Sequence, residues 1–441
     1  MKTPSNPPSA PFLLDLRERL GEIVFCGDET LSRYSLGKLR PQAVIQPQTI
    51  AQLSTVLQMA SGNHASLLFW GGGTSISLAN PPNSMDLVVD TTGIDKLLSH
   101  DVDNFTVTAQ AGMRLGQLQK FLKERRQFLP LDPPQAEEAT LGGIVAANAS
   151  GPWRLAFGSV RDLLLGIKVV LADGSTASFG GKTMKNVAGY DIGKLFIGSL
   201  GTLAAICELT FRLYSLPEES RSLMIVVPCA DRAFALARKV LTWLPAAIQV
   251  LNRKAAGILS ANAGLDAPGE GGLIAIDLMG DSAAVERQAK EIENACGCKI
   301  AALTGEDRLR FWEMIRLLTR ASGDSTVLCR ASLPPATVEE WAAAIEEVMG
   351  AHPQIFCPGT GRAWAQFQPD NQQRAAETIK ALRAEAARLS GHLFVEAAPE
   401  EWKPALNLWG NPPAHLPLLK AIKESFDPAG VLSPGRFVGG I

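Results

Sequence analysis

Phe69-Trp-Gly-Gly-Gly-Thr-Ser75 is the stretch on which the reading of this chain turns. The apolar run Ser66-Leu-Leu-Phe-Trp70 reads as a buried strand that stops at three consecutive glycines and two hydroxyl residues. A strand end of this kind exposes several backbone N–H groups with no side chain in the way. A pyrophosphate needs such a concave set of donors, helped by Thr and Ser hydroxyls. Alone, the stretch is equally an ordinary glycine-rich turn, so the sequence around it must decide.

Two further segments of the same character lie downstream. The first is Thr140-Leu-Gly-Gly-Ile-Val-Ala-Ala-Asn-Ala-Ser-Gly151, with Gly158-Ser-Val-Arg-Asp162 beyond it. Small residues at this density allow either close packing of strand on helix or close approach of backbone to a flat ligand. The second is Met184-Lys-Asn-Val-Ala-Gly-Tyr-Asp191, leading into Leu195–Ile206, where Gly198 to Thr202 interrupts an apolar run. Gly180-Gly-Lys-Thr183 is not a P-loop, because the first glycine of that motif falls on Thr176. No G-x-G-x-x-G opens a βαβ unit either. Three backbone-exposing segments therefore share one region without either common nucleotide motif.

The elements around them follow from periodicity. Thr49 and Gln52 read as a capping box for a helix that buries Ile50, Leu53, Leu57 and Ala60. Leu87–Asp90 reads as a strand, and Phe105, Val107, Ala109 and Ala111 alternate as the inward face of another. Arg114 to Arg126 is an amphipathic helix with Leu115, Leu118 and Leu122 inward. Residues 127–162 lack periodicity, and so long an irregular segment in a compact domain is usually functional. Strands return at 163–171 and 203–213, with 182–196 partly helical between them.

After Pro217 strand-like runs at 223–227, 248–251, 273–278, 327–333, 355–356 and 393–397 alternate with amphipathic helices. Thr337 and Glu340 cap one helix, which buries Val338, Trp341, Ile345 and Val348. Ala375, Ile379, Leu382 and Leu389 mark another. This alternation predicts an α+β unit, a sheet covered by helices on one side, with a loop at 264–272.

The chain has 441 residues, 46% hydrophobic and 20% charged, with a net formal charge of −2. That is long enough for two or three domains, too apolar for disorder, and too evenly charged for a nucleic-acid-binding surface. Residues 1–11 read as a flexible arm without a signal peptide, and no apolar run reaches the roughly 20 residues that span a bilayer. The seven cysteines (26, 207, 229, 296, 298, 329, 357) include no C-x-x-C pair. They read as reduced thiols of a cytoplasmic protein and not as cluster ligands.

Taken together, the segments resemble the FAD-binding domain of the PCMH-type (vanillyl-alcohol oxidase/p-cresol methylhydroxylase) superfamily. The likeness runs in order through Pro47, the Gly-Gly-Gly-Thr-Ser loop, the Leu-Gly-Gly segment, Gly-Ser-Val-Arg-Asp, and Lys-Asn-x-x-Gly-Tyr-Asp to Gly-Thr-Leu. It resumes at the C-terminus, where Phe426-Asp-Pro-Ala-Gly-Val-Leu-Ser-Pro-Gly-Arg436 resembles the family's closing signature. The resemblance implies four parts. Residues 1–36 would be an N-terminal arm and helix, and 37–217 a two-subdomain FAD-binding domain. Residues 218–414 would be an α+β cap whose antiparallel sheet is covered by helices, and 415–441 a segment returning to the FAD domain.

By the same resemblance, Trp70, Gly71, Gly72, Gly73, Thr74 and Ser75 would hold the FAD pyrophosphate. Asp132, Pro133, Thr140, Gly142, Gly143, Ala147, Asn148, Ser150 and Gly151 would line the flavin and ribityl chain, with Gly158 and Arg161 nearby. Leu200, Gly201, Thr202 and Ile206 would meet the adenine side. No histidine lies within 71–75, which implies non-covalent FAD.

Within the family, the likeness implies an FAD-binding subunit of a multisubunit glycolate oxidase. It would work with a larger FAD-containing catalytic subunit and an iron–sulfur subunit, in the cytoplasm or peripheral at the inner face of the membrane through its complex. A self-sufficient 2-hydroxy-acid dehydrogenase and a non-catalytic structural subunit remain as alternatives.

Oxidising a small 2-hydroxy acid requires a carboxylate clamp, usually Arg, and a base or metal for the hydroxyl proton. Relatives carry a histidine cluster in the cap. The corresponding stretch, Cys357-Pro-Gly-Thr-Gly-Arg-Ala-Trp364, has none. His392 and Glu396 share a strand face by period two, too few for a metal site. Arg330 and Arg362 could meet a carboxylate, with surface ion pairing the expected fate of each. The sequence thus names no catalytic residue and no metal ligand.

Overall fold

The computed structural model describes residues 10–181, 190–263, 272–297, 300–321, 323, 325–350 and 352–441. Two small sheets, with the two-stranded pair Gln127–Phe128 and Tyr214–Ser215, form the first half. In the four-stranded one, Ala43–Ile45, Leu87–Asp90 and Leu67–Trp70 run parallel, with Val24–Phe25 antiparallel at the edge. Helix Ala10–Leu20 buries Phe12, Leu16 and Leu20 against this sheet's core, and helix Ile50–Gly62 buries Leu53, Leu57 and Ala60 there. Thr49 caps the second helix through Gln52 N at 3.2 Å, but the Gln52 side chain turns back to Gln48 N at 2.8 Å. The reciprocal bond is therefore shifted by one residue.

The five-stranded sheet is antiparallel, in the order Leu97–Asp101, Thr106–Gln110, Ala205–Arg212, Leu164–Val170, Thr176–Gly180. Helix Leu115–Lys123 buries Leu115, Leu118 and Leu122 as its spacing predicts. Phe105 departs from the expected alternation: it sits at φ +51° in the turn before its strand and is 36% exposed. The aperiodic stretch 127–162 contains three short helices, Leu141–Ala147, Arg154–Phe157 and Val160–Leu163. Of the expected helix at 182–196, only the 3-10 turn Ile192–Phe196 falls among the described residues, as 182–189 lie outside them.

The second half is built on an eight-stranded antiparallel sheet, ordered Ile300–Leu303, Glu219–Val227, Gly272–Gly280, Ala247–Leu251, Gln354–Cys357, Arg362–Phe367, Val327–Ser332, His392–Ala397. It is covered on both faces and not on one. Ile248, Val250, Ile274 and Ile276 pack with helices Ala230–Leu241, Ser282–Cys296, Val338–Met349 and Gln372–Arg388. The alternating partners Ala247, Leu251, Leu273 and Ala275 pack with helices Arg253–Ala263 and Gly305–Leu317. A strand buried on both faces reads as continuously apolar, which is why the 273–278 run shows no alternation.

Helix Val338–Met349 is not capped by Thr337, whose Oγ1 donates to Pro334 O at 3.0 Å inside a 3-10 turn. Its buried face ends on Met349, while Val348 is 40% exposed. The expected loop at 264–272 lies, apart from Gly272, outside the described residues. Among the described residues no helix is long and apolar enough to cross a membrane.

The C-terminal segment returns to the first sheet. Leu67 donates to Val431 O and Ser433 donates to Leu67 O, both at 2.8 Å, so Leu432 lies parallel beside Leu67. The Phe426–Arg436 signature makes this turn possible. Buried Asp427 accepts from Val431 N at 3.1 Å and Leu432 N at 2.8 Å. Lys423 joins Asp427 at 2.6 Å to the carbonyls of Thr202 at 2.7 Å and Leu432 at 2.9 Å.

Candidate functional site

Two adjoining cavities open along the glycine loop. The first is lined by Phe69 to Ile76, by residues between Thr140 and Ala147 on one side, by Leu200, Gly201, Ala204 and Ile206 on the other, and by Arg436. The second runs from Thr74 and Ser75 past Asn148 and Ser150 to the cap sheet. Thr74, Ser75 and Ala147 belong to both, so the two form one continuous groove.

The loop's shape depends on missing side chains. A Cβ on Gly71 would lie 2.2 Å from Thr140 Oγ1, and one on Gly72 would lie 2.0 Å from Glu138 O. The loop therefore lies flush against 138–140, and no backbone acceptor is found for the N–H groups of Gly72, Gly73, Thr74 and Ser75 among the described residues. Beneath it Arg436, 3% exposed, donates Nη1 to Ile76 O at 2.9 Å and Asn80 O at 3.3 Å. Its Nε has no partner, and burial pushes its pKa down to about 10. Unpartnered N–H groups beside a buried, incompletely satisfied guanidinium fit a pyrophosphate.

Thr140 caps helix Leu141–Ala147 through Gly143 N at 3.2 Å, and Gly142 N donates to Ala111 O at 2.7 Å. The helix ends at Asn148 in the left-handed region, φ +48°, whose buried Oδ1 lacks a partner. Leu200 is also left-handed at φ +54°, tied by its N–H to Ala146 O at 2.9 Å. Non-glycine residues held there cost energy and cluster at functional sites.

The second cavity is strongly cationic. Arg362 donates Nη1 to Ser150 Oγ at 2.7 Å, Arg320 donates to Thr74 O, and Arg330 pairs with Glu396. Trp364 Nε1 donates to the other Glu396 oxygen at 3.0 Å. Burial first, then the Arg330 and Arg154 guanidiniums, push the Arg362 pKa down to about 9, and burial lowers that of Arg320. Neither Arg320 nor Arg362 has a carboxylate partner among the described residues. Of the two expected surface ion pairs, Arg330 makes one, but with Glu396 inside the cavity wall, and Arg362 makes none among the described residues. The strands that carry them lie side by side and turn both side chains into the cavity. Partly buried cations without counter-charge call for an anion.

The structure brings Trp70, Gly71, Gly72, Gly73, Thr74, Ser75, Pro133, Thr140, Gly142, Gly143, Ala147, Asn148, Ser150, Leu200, Gly201 and Ile206 to the groove. Five other candidates lie outside it. Asp132 is turned away, accepting from Trp153 N at 3.1 Å with Arg316 at 3.9 Å, and burial raises its pKa to about 7. Gly151 packs on Asp132, where a Cβ would meet the Asp132 carbonyl at 1.9 Å, and lines a small separate cavity. Gly158 turns the chain at φ +82° against Asp162, and Arg161 is exposed. Thr202 is spent on Ser199 O at 2.7 Å.

His392 is exposed and lines neither cavity. Among the described residues no group of three His, Cys, Asp or Glu could hold a metal ion. Sequence reasoning missed Arg436, Arg320 and Trp364. Arg436 closes the C-terminal signature and was open to assignment from it; the other two carry no local pattern.

Comparison with known proteins agrees with this geometry. Residues 41–180 match the FAD binding domain family, and residues 216–437 match the C-terminal domain of FAD linked oxidases. The glycolate oxidase subunit GlcD of Bacillus subtilis is 26% identical over 94% of this chain and 92% of its own length. The glycolate oxidase subunit GlcE of Escherichia coli is 33% identical over 43% of this chain and 54% of its own. The fold superposes on p-cresol methylhydroxylase with a TM-score of 0.76 and 16% identity, covering 97% of this chain and 96% of that one. With its C-terminal half matched to that oxidase domain and its groove built for a dinucleotide, the chain belongs to the FAD-linked oxidases and has FAD as its cofactor.

Proposed function

We propose that this chain is the FAD-binding subunit of a multisubunit glycolate oxidase, and that its own cationic cavity takes the 2-hydroxy acid. It is an FAD-dependent oxidoreductase acting on CH–OH groups. One observation carries the substrate assignment: Arg320, Arg330 and Arg362 meet in a cavity continuous with the cofactor groove. A small carboxylate satisfies that charge, and charge-assisted bonds to guanidinium fix its orientation.

The N–H groups of the glycine loop and Arg436 would hold the pyrophosphate. Thr140 to Ser150 would line the flavin and ribityl chain, and Leu200 to Ile206 the adenine side. When bound, the flavin supplies the acceptor for a hydride from the substrate carbon. The protein's part is to bind the carboxylate, turn the hydroxyl toward a proton acceptor and exclude water.

Residues 37–217 serve as the FAD-binding unit, 218–414 as the cap and 415–441 as the returning segment; the two family matches support this division. The names of the GlcD and GlcE relatives support assembly with other subunits, and electrons would leave through an iron–sulfur partner. Such a complex would place the chain in the cytoplasm or at the inner face of the membrane. Among the described residues no His, Cys or Tyr lines either cavity, which supports non-covalent FAD.

Affinity purification from the native cell, followed by glycolate-dependent dye reduction, tests the reading. Co-purification of two further subunits with dye reduction is the expected result. A chain that purifies alone removes the assembly, and a flavin-loaded preparation inert to every 2-hydroxy acid removes the substrate assignment. Acid precipitation should leave the flavin in the supernatant; flavin in the pellet refutes non-covalent binding.

A further inference from the structure

Among the described residues lining the cationic cavity, Glu396 is the one carboxylate. Its place there is built by an irregularity. Strands Val327–Ser332 and His392–Ala397 pair with Leu328 opposite Ala397 but Cys329 opposite Val395, leaving Glu396 as the extra residue of a β-bulge. In an unbroken strand Glu396 and Ala397 would face opposite sides of the sheet. Here both line the cavity, while Val395 is buried in the cap core. Bulges re-aim side chains and are over-represented beside active sites.

Each carboxylate oxygen has one fixed donor. Arg330 Nε meets Oε1, and Trp364 Nε1 meets Oε2 at 3.0 Å. A carboxylate accepts about four bonds, so each oxygen keeps a site for a further donor. The charged neighbours are Arg330 on the adjacent strand and Arg362 one strand beyond, with Arg320 across the cavity. Among the described residues the alternative acceptors are poorly placed. His392 is exposed at the start of the strand, and Asp132 faces Trp153. Asn148 Oδ1, buried without a partner, can accept a hydroxyl hydrogen bond but cannot keep the proton.

We propose that Glu396 is the proton acceptor of the oxidation, acting on a 2-hydroxy acid whose carboxylate is held by Arg362. The proposal deepens the function given above and rests on it. The C–H bond at the α-carbon breaks and its electron pair leaves as hydride, with the flavin as oxidant. The O–H bond breaks, its proton passes to a Glu396 oxygen, and its electron pair becomes the second C–O bond of a 2-oxo acid. Glu396 thereby does in one residue what general-base catalysis requires.

The test uses the FAD-loaded full-length chain with any subunits that co-purify. Binding of oxalate, a carboxylate that cannot be oxidised, is measured beside turnover. Glu396→Gln should lower kcat by about 10²–10⁴-fold while FAD content stays intact and oxalate binds within about threefold or more tightly. Tighter binding is expected because Arg330 is then unpaired. Added formate should restore part of the rate of Glu396→Ala by supplying the missing carboxylate.

A Glu396→Gln enzyme with kcat retained overturns the proposal. So does a loss that shows only as weaker oxalate binding, or one that formate cannot relieve in Glu396→Ala; either assigns Glu396 to holding Arg330. If the wild-type enzyme neither binds oxalate nor oxidises any 2-hydroxy acid, the functional reading falls and this proposal with it.

Discussion

Replacing Arg362 by Met should move stability and substrate binding in opposite directions. In the resting protein this guanidinium is partly buried, bonded to Ser150 Oγ at 2.7 Å, and repelled by Arg330 and Arg154. Its pKa falls from 12.5 to about 9, so the charge is destabilising where it sits. At about 1.4 kcal/mol per pH unit the cost has an upper bound near 5 kcal/mol. Met fills most of the volume, but Ser150 loses a donor, and that reduces the gain. A net stabilisation of about 1–2 kcal/mol remains, equivalent to a Tm higher by about 2–6 °C for a domain of this size.

The same change removes charge-assisted bonds to the substrate carboxylate, worth about 1.5–3 kcal/mol. KM for glycolate and the Kd for oxalate should therefore rise about 10–100-fold. Thermal melts at fixed, saturating FAD and oxalate titrations measure the two effects on one preparation. A lower Tm with oxalate affinity unchanged would refute the view of Arg362 as a strained cation awaiting an anion.

Three further outcomes follow from particular contacts. Asp132 is raised to about 7 by burial, so the native state holds its proton where the unfolded chain, at an ordinary 3.8, has lost it. Stability should therefore fall by up to about 1 kcal/mol per pH unit from pH ~4 to ~7 and level off above that. Asp132→Asn should flatten the slope in melts across this range, and parallel curves would count against the assignment. Gly72→Ala puts a methyl 2.0 Å from Glu138 O, so the loop must shift at a cost of about 1–3 kcal/mol. The flavin-to-protein absorbance ratio should drop, and full flavin content would contradict the packing argument. Asp427→Ala leaves Lys423 buried and unpaired, costing about 3–5 kcal/mol in denaturant unfolding. The variant should also lose flavin, because the 431–436 segment is no longer held; a flavin-replete variant would separate the two roles.

The cofactor half of the site was legible because it is local. Consecutive glycines, a Thr cap and a left-handed Asn leave their mark within a few residues, and the groove forms where Gly71 to Ser75 and Thr140 to Ser150 meet. The cationic half was legible only as two candidate arginines, Arg330 and Arg362. Arg320, Arg330, Arg362 and Glu396 are single residues far apart in sequence, and only the pairing of three strands and a helix end brings them together. Period-two counting also misled at Glu396, since a bulge inserts a residue that no propensity marks. Asp132 lies outside the groove for a comparable reason. The close approach of Gly151 and Trp153 turns its carboxylate into the protein, a contact invisible along the chain.

The returning C-terminal segment also sets an order of events during synthesis. Arg436 reaches Ile76 across 360 residues of chain, and Leu432 completes the sheet edge beside Leu67. At ribosomal rates of 5–20 residues per second, the glycine loop waits roughly 20–70 s for its cation. Until then the first sheet carries an open edge, and the pyrophosphate end of the groove lacks its only buried guanidinium among the described residues. Flavin capture is therefore a late event that follows synthesis of the cap. A chain stalled or cleaved within the cap should emerge colourless, so flavin content would report that synthesis has passed Arg436 and the segment has closed.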